Sequence, residues 1–293
     1  MYDICCIGHI TLDKVVTAQK EVYMAGGTSF YFSNAIQNMG LRYHLVTALA
    51  ETEMHFVQAL QAQRVDVTVL PSRYTVNFEN IYPENQDHRV QRVLQKAEPF
   101  QYEQLKEIDA KIFHLGPLLA DDIPAELIQA LASKSLVSLD VQGYLREVIN
   151  ENVYPIDWPQ KKALLPNIAI LKANENEMEM LTGQTDIYEG AKILADWGVK
   201  EVVITLGSKG SVILYENIFY LIPAFVPNAV IDATGCGDTY MAGYLSRRII
   251  GEGVQQAGEF AAAMATLKIQ VSGPFTGGSD EILSLLVKKN TRI

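Results

Sequence analysis

Short apolar runs recur along this chain, each separated from the next by residues with helical spacing. The runs cover residues 4–7, 45–48, 112–115, 136–141, 168–171, 201–205 and 211–215. Helical patterns lie between them at 29–39, 53–62, 124–132, 175–181 and 188–196. A run that is apolar throughout must be covered on both faces, and parallel strands need crossovers that helices supply. The alternation therefore predicts an α/β fold of three layers, α/β/α, around a mostly parallel central sheet. The last third, at 238–250 and 254–269, reads as mostly helical.

Two regions break the pattern. Residues 11–25 and 67–94 carry short β-prone pieces in which apolar and polar side chains alternate, as in a half-exposed sheet. They read together as a small β-sheet lid within one domain spanning 1–293. Such a lid keeps water from a transfer reaction. The same alternation also fits an ordinary edge hairpin.

Composition narrows the function classes. The 293 residues are 48% hydrophobic, enough for a sizeable core. A net charge of −10 disfavours a nucleic acid as a general partner. No run approaches the length of a membrane span, and the first residues read as a buried strand rather than a signal peptide. The three cysteines, Cys5, Cys6 and Cys236, have no metal-binding spacing, and a reducing cytoplasmic compartment is expected. Cys5 and Cys6 should point to opposite faces of a strand. The five histidines are scattered, and no P-loop, protein-kinase or hydrolase motif is present.

The chemistry concentrates in Ile231-Asp232-Ala233-Thr234-Gly235-Cys236-Gly237-Asp238-Thr239-Tyr240. Met241, Tyr244, Leu245 and Ile249 follow at helical spacing, so the glycines stand at a helix start. Unpaired N–H groups there attract anions, and glycines let a phosphate come close. A carboxylate beside such a phosphate needs a task, and taking a proton from an attacking hydroxyl is one. Read alone, Gly-x-Gly-Asp also fits a helix cap. The longer string Asp-x-Thr-Gly-x-Gly-Asp resembles the C-terminal signature of the ribokinase-like (PfkB) carbohydrate kinases, usually Asp-Thr-x-Gly-Ala-Gly-Asp. The resemblance implies that the amides of Gly235, Cys236 and Gly237 form an anion hole and that Asp238 is the base.

The likeness runs along the whole chain. Gly8-His9-Ile10-Thr11-Leu12-Asp13 is similar to the family's first strand and its hydroxyl-binding Asp, a role that would fall on Asp13. Ala25-Gly26-Gly27-Thr28-Ser29 resembles the Gly-Gly motif, whose amides meet the sugar. Lys172-Ala173-Asn174-Glu175-Asn176-Glu177 resembles Asn-x-x-Glu, implying Asn174 at ATP phosphates and Glu177 holding Mg²⁺ through water. Thr205-Leu206-Gly207-Ser208-Lys209-Gly210 matches the turn along the nucleotide. Asp140-Val141-Gln142-Gly143 with Arg146 is similar to a pattern at the phosphate end. Asp232 and Thr234, with the tail at 270–274, form the candidate monovalent-cation (K⁺) site that many members carry.

The likeness implies ATP and a sugar or polyol as small-molecule partners. Ribokinases and many fructokinases carry an Asn four residues after the second glycine, and here Tyr31 stands there. Asn34 lies one turn later as a candidate substrate ligand. The strings at 26–34, 89–94 and 168–173 resemble plant-type myo-inositol kinases, which puts Arg89 or Arg92 of the lid near a cyclitol. A ribose, fructose or nucleoside kinase is the nearer rival, with Phe30, Tyr31 and Phe32 as stacking faces for a base. A non-catalytic sugar or nucleotide sensor is the farther one. Lid edges can pair between copies, so a homodimer is compatible with this reading.

Overall fold

The computed structural model describes residues 1–16, 21–81 and 90–290. The strands are β1 (Tyr2–Ile7), β2 (Thr11–Val16), β3 (Glu21–Gly26), β4 (Tyr43–Leu49), β5 (Asp66–Pro71), β6 (Val76–Ile81), β7 (Val90–Gln95), β8 (Ala110–Leu115), β9 (Leu136–Asp140), β10 (Arg146–Ile149), β11 (Asn152–Pro155), β12 (Ile170–Asn174), β13 (Glu201–Thr205), β14 (Ser211–Tyr215) and β15 (Ile218–Ile222). The helices are α1 (Thr28–Ile36), α2 (Met54–Ala62), α3 (Ala125–Lys134), α4 (Lys161–Leu164), α5 (Glu175–Thr182), α6 (Ile187–Asp196), α7 (Cys236–Arg248), α8 (Val254–Ile269) and α9 (Ser279–Asn290).

A nine-stranded sheet runs in the order β15-β14-β13-β12-β9-β8-β1-β4-β5. From β13 to β5 every neighbouring pair is parallel, and the β13-β14-β15 edge is antiparallel. Two cores cover its faces. One gathers Leu127, Leu131, Met178, Leu181 and Leu194 from α3, α5 and α6; the other gathers Phe32, Val57, Leu60, Met241, Tyr244 and Phe260 from α1, α2, α7 and α8. Cys5 belongs to the first core and Cys6 to the second, as period-two alternation requires. The three-layer expectation holds.

A six-stranded sheet, β10-β11-β7-β6-β2-β3, stands beside the large one; β2 and β6 pair in parallel and the rest are antiparallel. Its extent corrects the expected lid at two points. Val67, Thr68 and Val69 belong to β5, the edge of the large sheet, in parallel register with Leu45, Val46 and Thr47. Half-exposed alternation looks the same on a lid and on the edge strand of a large sheet. Conversely, the β10-β11 hairpin at 146–155 extends the small sheet, in a stretch with no strong alternation to announce it. Val76, Phe78 and Val93 rest one face of the small sheet on Leu118 and Leu119, just beyond β8.

The chain enters the large sheet at β1, and its neighbours β4 and β8 lie on opposite sides. Strand order reverses there, and the crevice at the carboxyl ends of such strands is where open α/β sheets bind ligands.

Candidate active site

Backbones approach unusually closely at that crevice. A Cβ on Gly8, just after β1, would lie 2.8 Å from the carbonyl oxygen of Gly116, just after β8. A Cβ on Gly116 would lie 2.5 Å from Thr28 Cγ2. Helix α1 therefore begins close to the strand ends, and α7 begins beside it. Each is preceded by a glycine in the left-handed region, Gly27 at φ 88° and Gly235 at φ 74°. The two helix starts meet: the Thr28 hydroxyl donates to the Asp238 carboxylate. The Tyr31 ring lies so close to Gly235 that a Cβ there would fall 2.2 Å from it.

Behind Asp238 lies a buried charge cluster. Lys172, midway along β12, and Asp140 at the end of β9 are register partners, and Lys172 Nζ donates to Asp140 Oδ2 at 2.9 Å. Glu177 Oε2 is 3.9 Å from the same nitrogen. Burial pulls the Lys172 ammonium down, but the Asp140, Glu177 and Asp238 carboxylates outweigh it and hold it above the ordinary lysine range. Asp238 itself is pushed up to about 7, first by burial and then by Asp140 and Glu177, with Lys172 and the Thr28 bond opposing the rise. A carboxyl poised there can take a proton near neutral pH.

The cluster also reaches the stretch expected to form the anion hole. A Cβ on Gly237 would sit 3.1 Å from Lys172 Nζ, so an anion on the Gly235-Cys236-Gly237 amides has an ammonium close by. Burial pushes the Cys236 thiol up to about 11, which leaves it a small neutral side chain. Asn174 and Glu177 form a capping box at the start of α5: Asn174 Oδ1 accepts from the Glu177 N–H at 2.9 Å, and Glu177 Oε2 from the Asn174 N–H at 2.8 Å. The box uses Glu177 Oε2, and a carboxylate there suits holding Mg²⁺ through water rather than directly. Thr205 ends β13 in register with Asn174. Gly207 and Gly210 shape the β13-β14 turn with φ of 56° and 95°. On the small sheet, Thr11 Oγ1 donates to Asp13 Oδ1 at 2.6 Å, and Gly26 lies opposite Thr11. A Cβ on Gly26 would meet Asp13 Oδ2 at 2.3 Å.

Residues 1–281 match the model of the pfkB family carbohydrate kinases. The chain belongs to this family. It is an ATP-dependent carbohydrate kinase, a phosphotransferase with an alcohol group as acceptor. A cytidine kinase of Thermococcus kodakarensis is 28% identical over 254 residues, 84% of this chain and 88% of that protein. A ribokinase of Arabidopsis thaliana is 36% identical over 187 residues, 61% of this chain and 46% of that protein. Among solved structures, a pyrophosphate-dependent kinase of the ribokinase family, complexed with a pyrophosphate analogue and myo-inositol, superposes with a TM-score of 0.87. It is 26% identical, and the match covers 96% of this chain and 99% of that one.

Several expectations for this pfkB kinase change. Asn34 is buried and donates to the Phe30 carbonyl oxygen at 2.9 Å, so its amide serves its own helix. Arg89 lies outside the described residues. Arg92 pairs with Glu79 and Glu151 on the face of the small sheet opposite Asp13, not towards the crevice. Tyr31 is buried against Gly235, and Phe32 stacks on His114, so neither offers a free stacking face. The expected potassium site does not fit: Lys268 Nζ holds both Asp232 O and Asp232 Oδ2, and Thr234 is exposed with its N–H donated to Asp232 Oδ1. The pfkB motifs did not single out Thr28 and Lys172. The readable signal for Lys172 was a lysine between Leu171 and Ala173 at the end of an apolar strand.

Proposed function

We propose that this kinase phosphorylates a hydroxyl of a cyclitol, myo-inositol first. The observation carrying the chemistry is Asp238 at the first turn of α7, bonded to Thr28 and backed by Lys172, Asp140 and Glu177. In this reading the acceptor lies between Asp13, Gly26, Gly27 and Asp238. Asp238 takes the hydroxyl proton as the phosphoryl group transfers. The amides of Gly235, Cys236 and Gly237 hold the charge that develops, and Lys172 adds a cation beside them. Asn174, Thr205, Gly207 and Gly210 flank the ATP. Glu177 would hold Mg²⁺ through water, and the ion would supply neutralisation of phosphate charge. The small sheet acts as the lid that shields the transfer from water.

Three observations support a cyclitol over a nucleoside or ribose. Tyr31 stands where ribokinases carry a substrate Asn. Tyr31 and Phe32 are committed to internal packing rather than to a base. The structural neighbour of TM-score 0.87 is a myo-inositol complex. The test is product formation from ATP, with pyrophosphate as comparison donor, across myo-inositol, other cyclitols, ribose, fructose, adenosine and cytidine. The highest kcat/KM should fall on myo-inositol; a higher value with cytidine or ribose would replace the acceptor.

The proposal extends to compartment and assembly. The reaction belongs to the cytoplasm, where ATP is supplied. Strand β3 edges the small sheet with Val22 and Tyr23 exposed, and pairing of two copies along it is the proposed dimer. Light scattering should return about twice the 32.6 kDa chain mass; the mass of one chain would remove this part.

A further inference from the structure

Lys268 near the C-terminal end of α8 is fully buried, an expensive place for an ammonium unless its donors are satisfied. Its three N–H groups meet three oxygens: Asp232 O at 2.9 Å, Asp232 Oδ2 at 3.1 Å and Val271 O at 3.4 Å. The Tyr31 ring lies 5.8 Å from the nitrogen. Burial pushes the Asp232 carboxyl up, but the Thr234 bonds and Lys268 outweigh it and hold it below the usual carboxylate range.

The oxygens come from two separate segments. Asp232 opens the loop that ends in the anion hole three residues later, and Val271 follows α8. The same carboxylate reaches along both. Its Oδ1 accepts from the Thr234 N–H at 2.9 Å and its Oδ2 from the Gly273 N–H at 3.3 Å. Tyr31 then joins Lys268 to Gly235, because its ring faces both.

We propose that the Lys268 ammonium is a built-in cation that fixes the 232–235 loop, and with it the anion hole, so that this kinase needs no monovalent metal ion. Lys268 is a positioning residue: it acts through Asp232 and Tyr31, not on the phosphate. Replacing it by alanine leaves two carbonyl oxygens and a carboxylate around the place the ammonium group held. Ammonium and potassium are close in size and share that oxygen chemistry. Lys268→Met removes the charge and puts an apolar methyl end close to the oxygens, which disfavours an ion there.

The inference rests on the kinase reading above, and the test separates the two. Turnover and melting temperature are measured for the wild-type chain, Lys268→Ala and Lys268→Met in choline, lithium, potassium and ammonium salts at equal ionic strength. The wild type should give the same rate and melting temperature in choline and potassium. Lys268→Ala should lose about ten- to a hundredfold in kcat in choline. Potassium or ammonium should restore most of that loss and raise its melting temperature, while lithium should not. Lys268→Met should be impaired in every salt.

A wild type activated more than about threefold by potassium overturns the proposal, an outcome that does not depend on either variant folding. So does a Lys268→Ala that is unimpaired, or impaired without selective rescue. The melting temperatures read the cage even where no acceptor supports turnover, so a wrong acceptor leaves this result standing.

Discussion

Asp238 carries a conflict between stability and function that titration can expose. Its carboxyl is pushed up to about 7 from an ordinary value of 3.8. Below about pH 4 native and unfolded chains both hold the proton; between there and about 7 the native chain holds more, so stability falls as pH rises. Above about 7 the full cost is present. Asp238→Asn should therefore raise the melting temperature at pH 8 and change it little at pH 4. The same substitution should lower kcat by about 10²–10⁴ for a general base. A loss below tenfold in the folded variant would remove that role. In the wild type, kcat/KM should rise with pH through an acid limb near 7, because the base must be unprotonated. Lys172 opposes the upward shift, so Lys172→Met should move this limb to higher pH. It should also cost about 3–5 kcal/mol in denaturant unfolding, since Asp140 loses its buried partner. The motif pointed to Asp238, but its neighbours Lys172 and Asp140 sit 32 positions apart and meet only through strand register. No local pattern announces that.

At the scale of elements, the same glycine chemistry serves two different purposes. Gly235 and Gly207 both have positive φ, at 74° and 56°. A Cβ on Gly207 would meet nothing within 4 Å, whereas on Gly235 it would strike the Tyr31 ring. Gly207→Ala should thus cost only its backbone strain, about 1–2 kcal/mol. Gly235→Ala should cost more and also displace the start of α7, lowering kcat; equal losses for both in denaturant unfolding would contradict the packing argument. On the small sheet, Asp13→Ala should raise KM for the acceptor and leave KM for ATP unchanged, which initial-rate kinetics would read. Helix starts were legible because caps are local: the Asn174–Glu177 box can be read from spacing alone, and it forms. Strand membership was less so. Residues 66–71 could pair with either sheet on their own pattern, and β4 wins them by running parallel alongside. Asn34 illustrates a third case: a polar residue at the right distance along a helix, turned back to its own backbone at Phe30.

Across the whole molecule, the layer order was legible because apolar strands must be covered on both sides. That Lys268 would occupy the expected cation site was not, because a residue of α8 has to reach the loop before α7. The proposed site draws on widely separated parts of the chain: its acceptor side on residues 13–28, its middle on 140 and 172–177, and its proposed base on 238. Thr28 and Asp238, which touch, are separated by 210 positions (238 − 28). During synthesis the first half of the site is finished long before the second. Until α7 emerges the proposed base and anion hole are both missing, so a nascent or prematurely ended chain would lack the groups proposed to move phosphate from ATP. On the proposed reading, competence would come only with the docking of one helix start against the other.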